Sequence, residues 1–239
     1  MVEKGTPMQI DTQHTGYPAS VSLALGRKAP TLHALGNIRL LETPGIGFCG
    51  SRKASERGLE VAVDCAEQVA RAGLNVISGN ASGIDRAAHY AALKAGGTTI
   101  LVLPEGTDHF RVRRDLMPVW DWERVLVISQ FAPNAVWQAY RAMARNEVII
   151  ALSRAMIVIE AGATGGTLDA GLRTLSSGKP LFVAMYEQMD EKVPGNARLL
   201  GCGGIKLAKS RSTGRANLER VRIAVENLEP FRQAQKALF

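Results

Sequence analysis

The chain has 239 residues, 46% of them hydrophobic and 21% charged. This is the balance of a globular domain, and it excludes a disordered chain, a collagen and a disulfide scaffold. Lysine and arginine number 29 against 22 acids, a formal charge of +7, which permits a polyanionic partner without naming one. No stretch approaches the roughly 20 apolar residues of a membrane span, and the first residues lack the apolar core of a secretory signal. Cys49, Cys65 and Cys202 form an odd set with no CxxC. The expectation is a cytoplasmic protein with reduced thiols, no structural metal and no membrane contact.

Residues 1–45 are interrupted by Tyr17-Pro18, by Arg27-Lys28-Ala29-Pro30 and by Gly36-Asn37. They read as an N-terminal extension with one small helix. Strands and helices then alternate. Ile46 to Cys49 is a short apolar strand, and Ser55 caps a helix with Leu59, Ala62, Val63, Ala66, Val69 and Ala70 on its apolar face. Leu74 to Ile77 is the second strand, a helix runs from Ile84 to Lys94, and Thr98 to Leu103 is a third strand rich in β-branched residues. Residues 104–122 are irregular and contain Arg111, Arg113 and Arg114. Val125–Ile128 reads as a strand, 137–150 as a helix, 155–160 as a buried strand, 167–176 as a helix and 181–184 as a strand. A last helix is expected over 217–228.

Strands buried on both faces and separated by helices imply a parallel sheet. The predicted architecture is α/β: an extended Rossmann-like, doubly wound, mostly parallel sheet with helices on both faces. The domain spans 46–210, and 211–239 is a helical tail. Ligands of such folds lie at the carboxyl ends of the strands.

Four loops at those ends carry small and polar residues. They are Gly50-Ser51-Arg52-Lys53, the run Ser78, Gly79, Asn80, Ala81, Ser82 and Gly83, then Ser129-Gln130, and finally 161–167 with Gly165, Gly166 and Thr167. The fold is expected to converge them on one crevice, each leading to a helix N-terminus whose free N–H groups attract anions. Glycine allows close backbone approach, hydroxyls add donors, and Arg52 and Lys53 add charge. Arg145 is either an exposed charge or a cation aimed into the crevice. Asp85 favours a helix start, with His89 one turn on and able to pair with it.

Other motifs fail. Gly45 to Gly50 matches GxGxxG, but within a strand, and no acid closes the second strand at Ser78. Gly178-Lys179-Pro180 lacks the residues of a P-loop, and there is no HExxH or nucleophile elbow. No cofactor is expected. From 206 to 236, eight basic residues (among them Arg211, Arg215, Arg220, Arg222, Arg232 and Lys236) face three acids; the linker 206–215 is a second place a polyanion could be met.

In order along the chain, several segments resemble the bacterial DNA-processing family DprA, also called Smf. They are Tyr17-Pro18, Gly50-Ser51-Arg52, Ser78-Gly79 with Gly83-Ile84-Asp85, Arg145-Asn146 with Ile149 to Ser153, Glu160-Ala161 and Gly195-Asn196. The resemblance implies a domain that dimerises, binds single-stranded DNA in a basic pocket, and helps load RecA during recombination and natural transformation in competent cells. By matched motif, Gly50, Ser51 and Arg52 contact backbone phosphates, the Gly79–Gly83 loop lines the pocket and Arg145 adds charge. The chain departs from the pattern at Ser82, Gln130, Met185-Tyr186 and Ala142-Met143-Ala144. Two alternatives stay open. Arg145 with Asp169 also resembles the catalytic pair of LOG-type nucleotide phosphoribohydrolases, and the same pocket also suits a binding domain that senses a small nucleotide.

Overall fold

The computed structural model describes residues 7–186 and 193–226. Apolar runs without polar alternation need cover on both faces, and the chain arranges its helices to provide it. Among the described residues the strands are β1 (Pro7–Ile10), β2 (Leu32–Gly36), β3 (Gly45–Gly50), β4 (Asn75–Ser78), β5 (Thr99–Leu103), β6 (Val125–Ser129), β7 (Ser153–Ile159), β8 (Leu181–Ala184) and β9 (Ile205–Leu207). The α-helices are α1 (Ala19–Leu25), α2 (Glu56–Arg71), α3 (Ile84–Lys94), α4 (Ala139–Leu152), α5 (Gly166–Ser176), α6 (Pro194–Gly201) and α7 (Glu219–Glu226).

The sheet order is β1-β2-β6-β5-β4-β3-β7-β8-β9. The chain builds outward from β3 to β6, returns to place β7 against the other edge of β3, and builds outward again to β9. Every pairing from β6 across to β9 is parallel, whereas β1 and β2 are antiparallel additions at one edge. Ile46, Phe48, Val76 and Phe182 share a core with residues of α2, α3 and α7. Ile77, Met156, Val158 and Val183 share the opposite core with Val21 of α1, Val148 and Ile149 of α4, Leu168 of α5 and Leu199 of α6. The Rossmann-like, doubly wound architecture expected from the sequence is therefore present.

The differences are local. The extension over 1–45, expected to hold one small helix, also contributes β1 and β2 to the sheet, and Ile10, Leu32, Ala34 and Leu35 are buried. Four- and five-residue strands give a period too short to read, and His33 and Gly36 hide the second. β9 and α6 were also missed. The expected helix over 217–228 is described as α7, with Val221 and Ala224 buried; residues 227 and 228, and the charges of Arg232 and Lys236, lie outside the described residues. The capping serine is as expected: Ser55 Oγ accepts from Gly58 N at 3.0 Å.

Lys179, expected only as part of a helix stop, closes the far end of α4. Its Nζ donates to Ile150 O, Ala151 O and Ser153 O at 2.5, 2.8 and 2.7 Å. A helix leaves its last carbonyls unpaired and favours a cation there, so one ammonium with three donors satisfies the α4–β7 junction. Lys179→Met removes all three bonds and leaves Ile150 O with only the Ser153 N–H, at a cost of about 1–3 kcal/mol. Thermal denaturation will show a melting temperature lower by several degrees; an unchanged transition would mean that these carbonyls find other partners.

Candidate functional site

The crossing from one half of the sheet to the other separates the chain paths leaving β3 and β7, and this opens a crevice at their carboxyl ends. A cavity of about 360 Å³ lies there, lined by Gly50, Arg52, Asp85, Arg145, Gly166 and Thr167, with Trp137, Met143 and Cys49 adding apolar wall. Ser51 N donates to Ile159 O at 3.2 Å and Thr167 Oγ1 to Gly50 O at 3.0 Å, which stitches the two loops together.

Arg145 is the centre of this site. It is only 6% exposed, so the exposed alternative is excluded. Its guanidinium lies on Gly79, where a Cβ would come 1.6 Å from Nη1; only glycine permits the contact. Asp85 Oδ2 stands 3.9 Å from Nη2, an ion pair without a hydrogen bond, and itself accepts from Ala81 N at 3.2 Å. Arg145 Nε is buried with no hydrogen-bond partner. A buried cation so incompletely compensated is costly, and its side chain forms part of the cavity wall.

His89 does not pair with Asp85 as the spacing suggested. Its Nε2 meets Gly79 O at 2.6 Å and its Nδ1 meets Thr99 Oγ1 at 2.6 Å. A carbonyl only accepts, so Nε2 donates to Gly79 O; Thr99 Oγ1, which stands against Nδ1, also donates to Val76 O at 2.7 Å. Burial holds the imidazole pKa below its ordinary value, and the nearby Arg145 adds to that effect. A neutral His89 thus fixes the carbonyl of the glycine beneath Arg145.

The sequence suggested that the loops lead to open helix N-termini. Two of these termini already hold a carboxylate. At α2, Ser55 N donates to Glu160 Oε2 at 2.9 Å, while Ser55 Oγ and Tyr186 OH donate to Oε1. At α3 the carboxylate is the first-turn Asp85, which accepts from Ala81 N, two residues ahead of the Gly83 N-cap; α3 has no side-chain cap. The start of α5, at Gly165, Gly166 and Thr167, has no side-chain cap. Asp169 in its first turn is bonded to Arg173 Nε at 2.7 Å, and Arg173 also reaches Glu147 at 2.9 Å. Asp169 is not among the cavity-lining residues, whereas Arg145 is.

Of the residues singled out by sequence, Gly50, Arg52, Arg145, Gly166 and Thr167 meet at the cavity. Gly79 and Gly83 stand behind it, the latter against the Ser51 and Arg52 backbone. Ser51 Oγ accepts from Lys53 N at 3.1 Å and shapes its own turn, leaving the Lys53 side chain exposed. Ser78 is corrected: fully buried, it donates to Phe48 O at 2.7 Å and braces β4 to β3 instead of facing a ligand. Ser129 and Gln130 are also corrected. β6 lies three places from β3, and Ser129 Oγ donates to Glu105 O at 2.7 Å. In the linker 206–215, Lys206 is in β9 and Arg215 pairs with Asp64 and Glu67 of α2 at 2.5 and 3.2 Å, while Lys206, Lys209 and Arg211 are exposed.

Glu160 and Trp137 were not foreseen as site residues. An acid closing an apolar strand was the available signal for Glu160; a tryptophan just before a helix gives no comparable one. Cys49 is no nucleophile, since burial, then Asp85, pushes its thiol up to about 12. Among the described residues no group of three His, Cys, Asp or Glu is placed to hold a metal ion, and no helix is long and apolar enough to cross a membrane.

The depressed His89 pKa makes stability pH-dependent. The unfolded chain binds a proton near pH 6.5 that the folded chain refuses, so stability is complete above that pH and falls as pH drops below it. The slope from this group approaches 1.4 kcal/mol per pH unit at most, as an order of magnitude. Denaturant melts between pH 5 and 7.5 will show the fall, and His89→Gln will flatten it; an identical slope in the variant would exclude His89 as the source.

A family model described as DNA recombination-mediator protein A matches residues 9–213. The DNA processing protein DprA of Streptococcus pneumoniae is 34% identical over 176 residues, 73% of this chain and 62% of that protein. This chain therefore spans less than two thirds of that relative's length. The X-ray structure of DNA processing protein A from S. pneumoniae matches with a TM-score of 0.75 at 30% identity, covering 83% of this chain and 70% of that one. The structure of Helicobacter pylori DNA processing protein A, reported for its single-stranded DNA binding mode, matches with a TM-score of 0.72 over 84% of this chain and 91% of that one. At 22% identity that second likeness shows the shared fold alone.

Proposed function

The chain belongs to the DNA recombination-mediator protein A family, and from that premise we propose that it binds single-stranded DNA by its backbone phosphates at the β3–β7 crevice. The observation that carries this reading is Arg145, a buried cation whose Nε has no partner and which lines a cavity. Arg52 supplies a second guanidinium at the rim, and the start of α5 supplies backbone N–H groups. Gly50 and Ser51 shape the turn, Lys53 lends exposed charge, and Gly79 and Gly83 give Arg145 and the turn their room. Contacts of this kind neutralise phosphate without reading sequence.

The finer steps rest on the family. We propose that the bound strand is handed to a RecA-type recombinase during recombination of incoming DNA, and that the protein acts as a homodimer in the cytoplasm.

Binding of a fluorescent oligothymidylate measured across a salt series tests the central claim. The logarithm of affinity will fall linearly with the logarithm of salt, and Arg52→Ala will lower the slope by about 0.7, the share of one phosphate on a single strand. Loss of a charged hydrogen bond will also weaken binding by about tenfold or more. Gly79→Ala will displace the Arg145 guanidinium and weaken binding in a chain that still folds. Affinity indifferent to salt would sink the proposal.

A further inference from the structure

Glu160 is 7% exposed and its backbone sits at φ 58, a left-handed conformation uncommon for residues with a side chain. Its carboxylate accepts from Ser55 N, Ser55 Oγ and Tyr186 OH, and no cation among the described residues forms an ion pair with it. The compensating positive end is therefore the α2 N-terminus itself. Gly58 in the first turn of α2 leaves the space: a Cβ there would stand 2.6 Å from Glu160 Oε1. Glu160 also directly follows Ile159, whose carbonyl holds Ser51 N. The acid and the turn carrying Arg52 are thus parts of one junction between β3, β7 and α2.

Resting on the phosphate-binding reading above, we propose that Glu160 is a specificity-determining residue for the crevice. It is an internal anion that occupies the α2 N-terminus and confines ligand phosphate to Arg52, Arg145 and the start of α5. α2 has 16 residues, and without Glu160 its N-terminus would be a second anion-attracting end beside the first. With the carboxylate in place, a phosphate approaching Ser55 meets like charge at short range and finds the Ser55 N–H already taken. Two adjacent helix termini are thereby reduced to one phosphate position, which fixes where the strand enters.

The test compares Glu160→Gln, Glu160→Asp and the wild type in salt-titrated oligothymidylate binding, each with a thermal melt. Gln keeps the size and an acceptor but removes the charge; the slope will steepen by about 0.7, as one more phosphate is taken, and affinity at low salt will rise severalfold. Asp keeps the charge, so its slope will equal the wild type's even though the shortened cap lowers the melting temperature. Glu160→Ala reads the same loss of charge should the Gln chain not fold. Glu42→Gln, an exposed acid just before β3 at the opposite end of the sheet, controls for net charge and will leave the slope unchanged. A structural role alone would make Gln and Asp weaken binding together. An unchanged or shallower slope in a folded Gln or Ala chain, or an equal steepening in the Glu42 control, would overturn the proposal. Wild-type binding indifferent to salt would instead remove the reading on which it rests.

Discussion

The site is organised around a cation brought inside and left incompletely paired. α4 carries Arg145 to the carboxyl end of the sheet, and Gly79 gives its guanidinium a backbone surface to lie on. Asp85 offsets its charge from 3.9 Å, too far to consume its donors. Behind it, Thr99 and His89 fix the Gly79 carbonyl, so the platform is set by β5 and α3 as well as by the β4 loop. A shorter ion pair would have closed the site, and no ion pair would have made burial of the charge prohibitive. The intermediate distance leaves directed N–H groups in a sheltered place, the condition for recognising an anion from solvent.

The same economy governs the helix termini. Three helices begin near the crevice, and each start carries partial positive charge. Glu160 occupies one and Asp85 another, both acids being supplied by the chain at a carboxyl strand end or just beyond it. At α5 the first-turn acid, Asp169, is paired with Arg173, which also binds Glu147. A surface ion pair of this kind is worth little in stability.

Much of this was legible in the sequence, and the exceptions share physical causes. The central strands were readable because parallel strands buried on both faces are continuous apolar runs. The edge strands β1 and β2 were not, since four or five residues with His33 among them carry no reliable period. Arg52, Arg145 and the glycine loops were legible because small residues beside arginine at strand ends have few structural uses. Ser78 and Ser129 share that pattern but turn to Phe48 O and Glu105 O. A hydroxyl's direction depends on which strands are neighbours, and strand order is not written in local spacing. Glu160 was quoted only within a matched pair, because its partners, Ser55 and Tyr186, come from positions 105 residues before it and 26 after it.

The formal charge of +7 is a poor guide to how the crevice works. Arg52, Arg145 and Asp85 line it, Lys53 adds an exposed charge beside it, and Glu160 sits at the adjoining α2 N-terminus, so the charges nearly balance. Arg215, counted among the basic residues of the C-terminal part, is spent on Asp64 and Glu67. Selectivity for phosphate therefore cannot come from a local excess of charge. It has to come from where the charges are held: Glu160 faces the α2 N-terminus with both oxygens occupied, while the two arginines line the cavity. Field direction, not net charge, is then the property selected. For that reason a lysine at 145 would not substitute for arginine, since a point charge on a flexible stem neither lies flat on Gly79 nor presents a planar fork to the cavity.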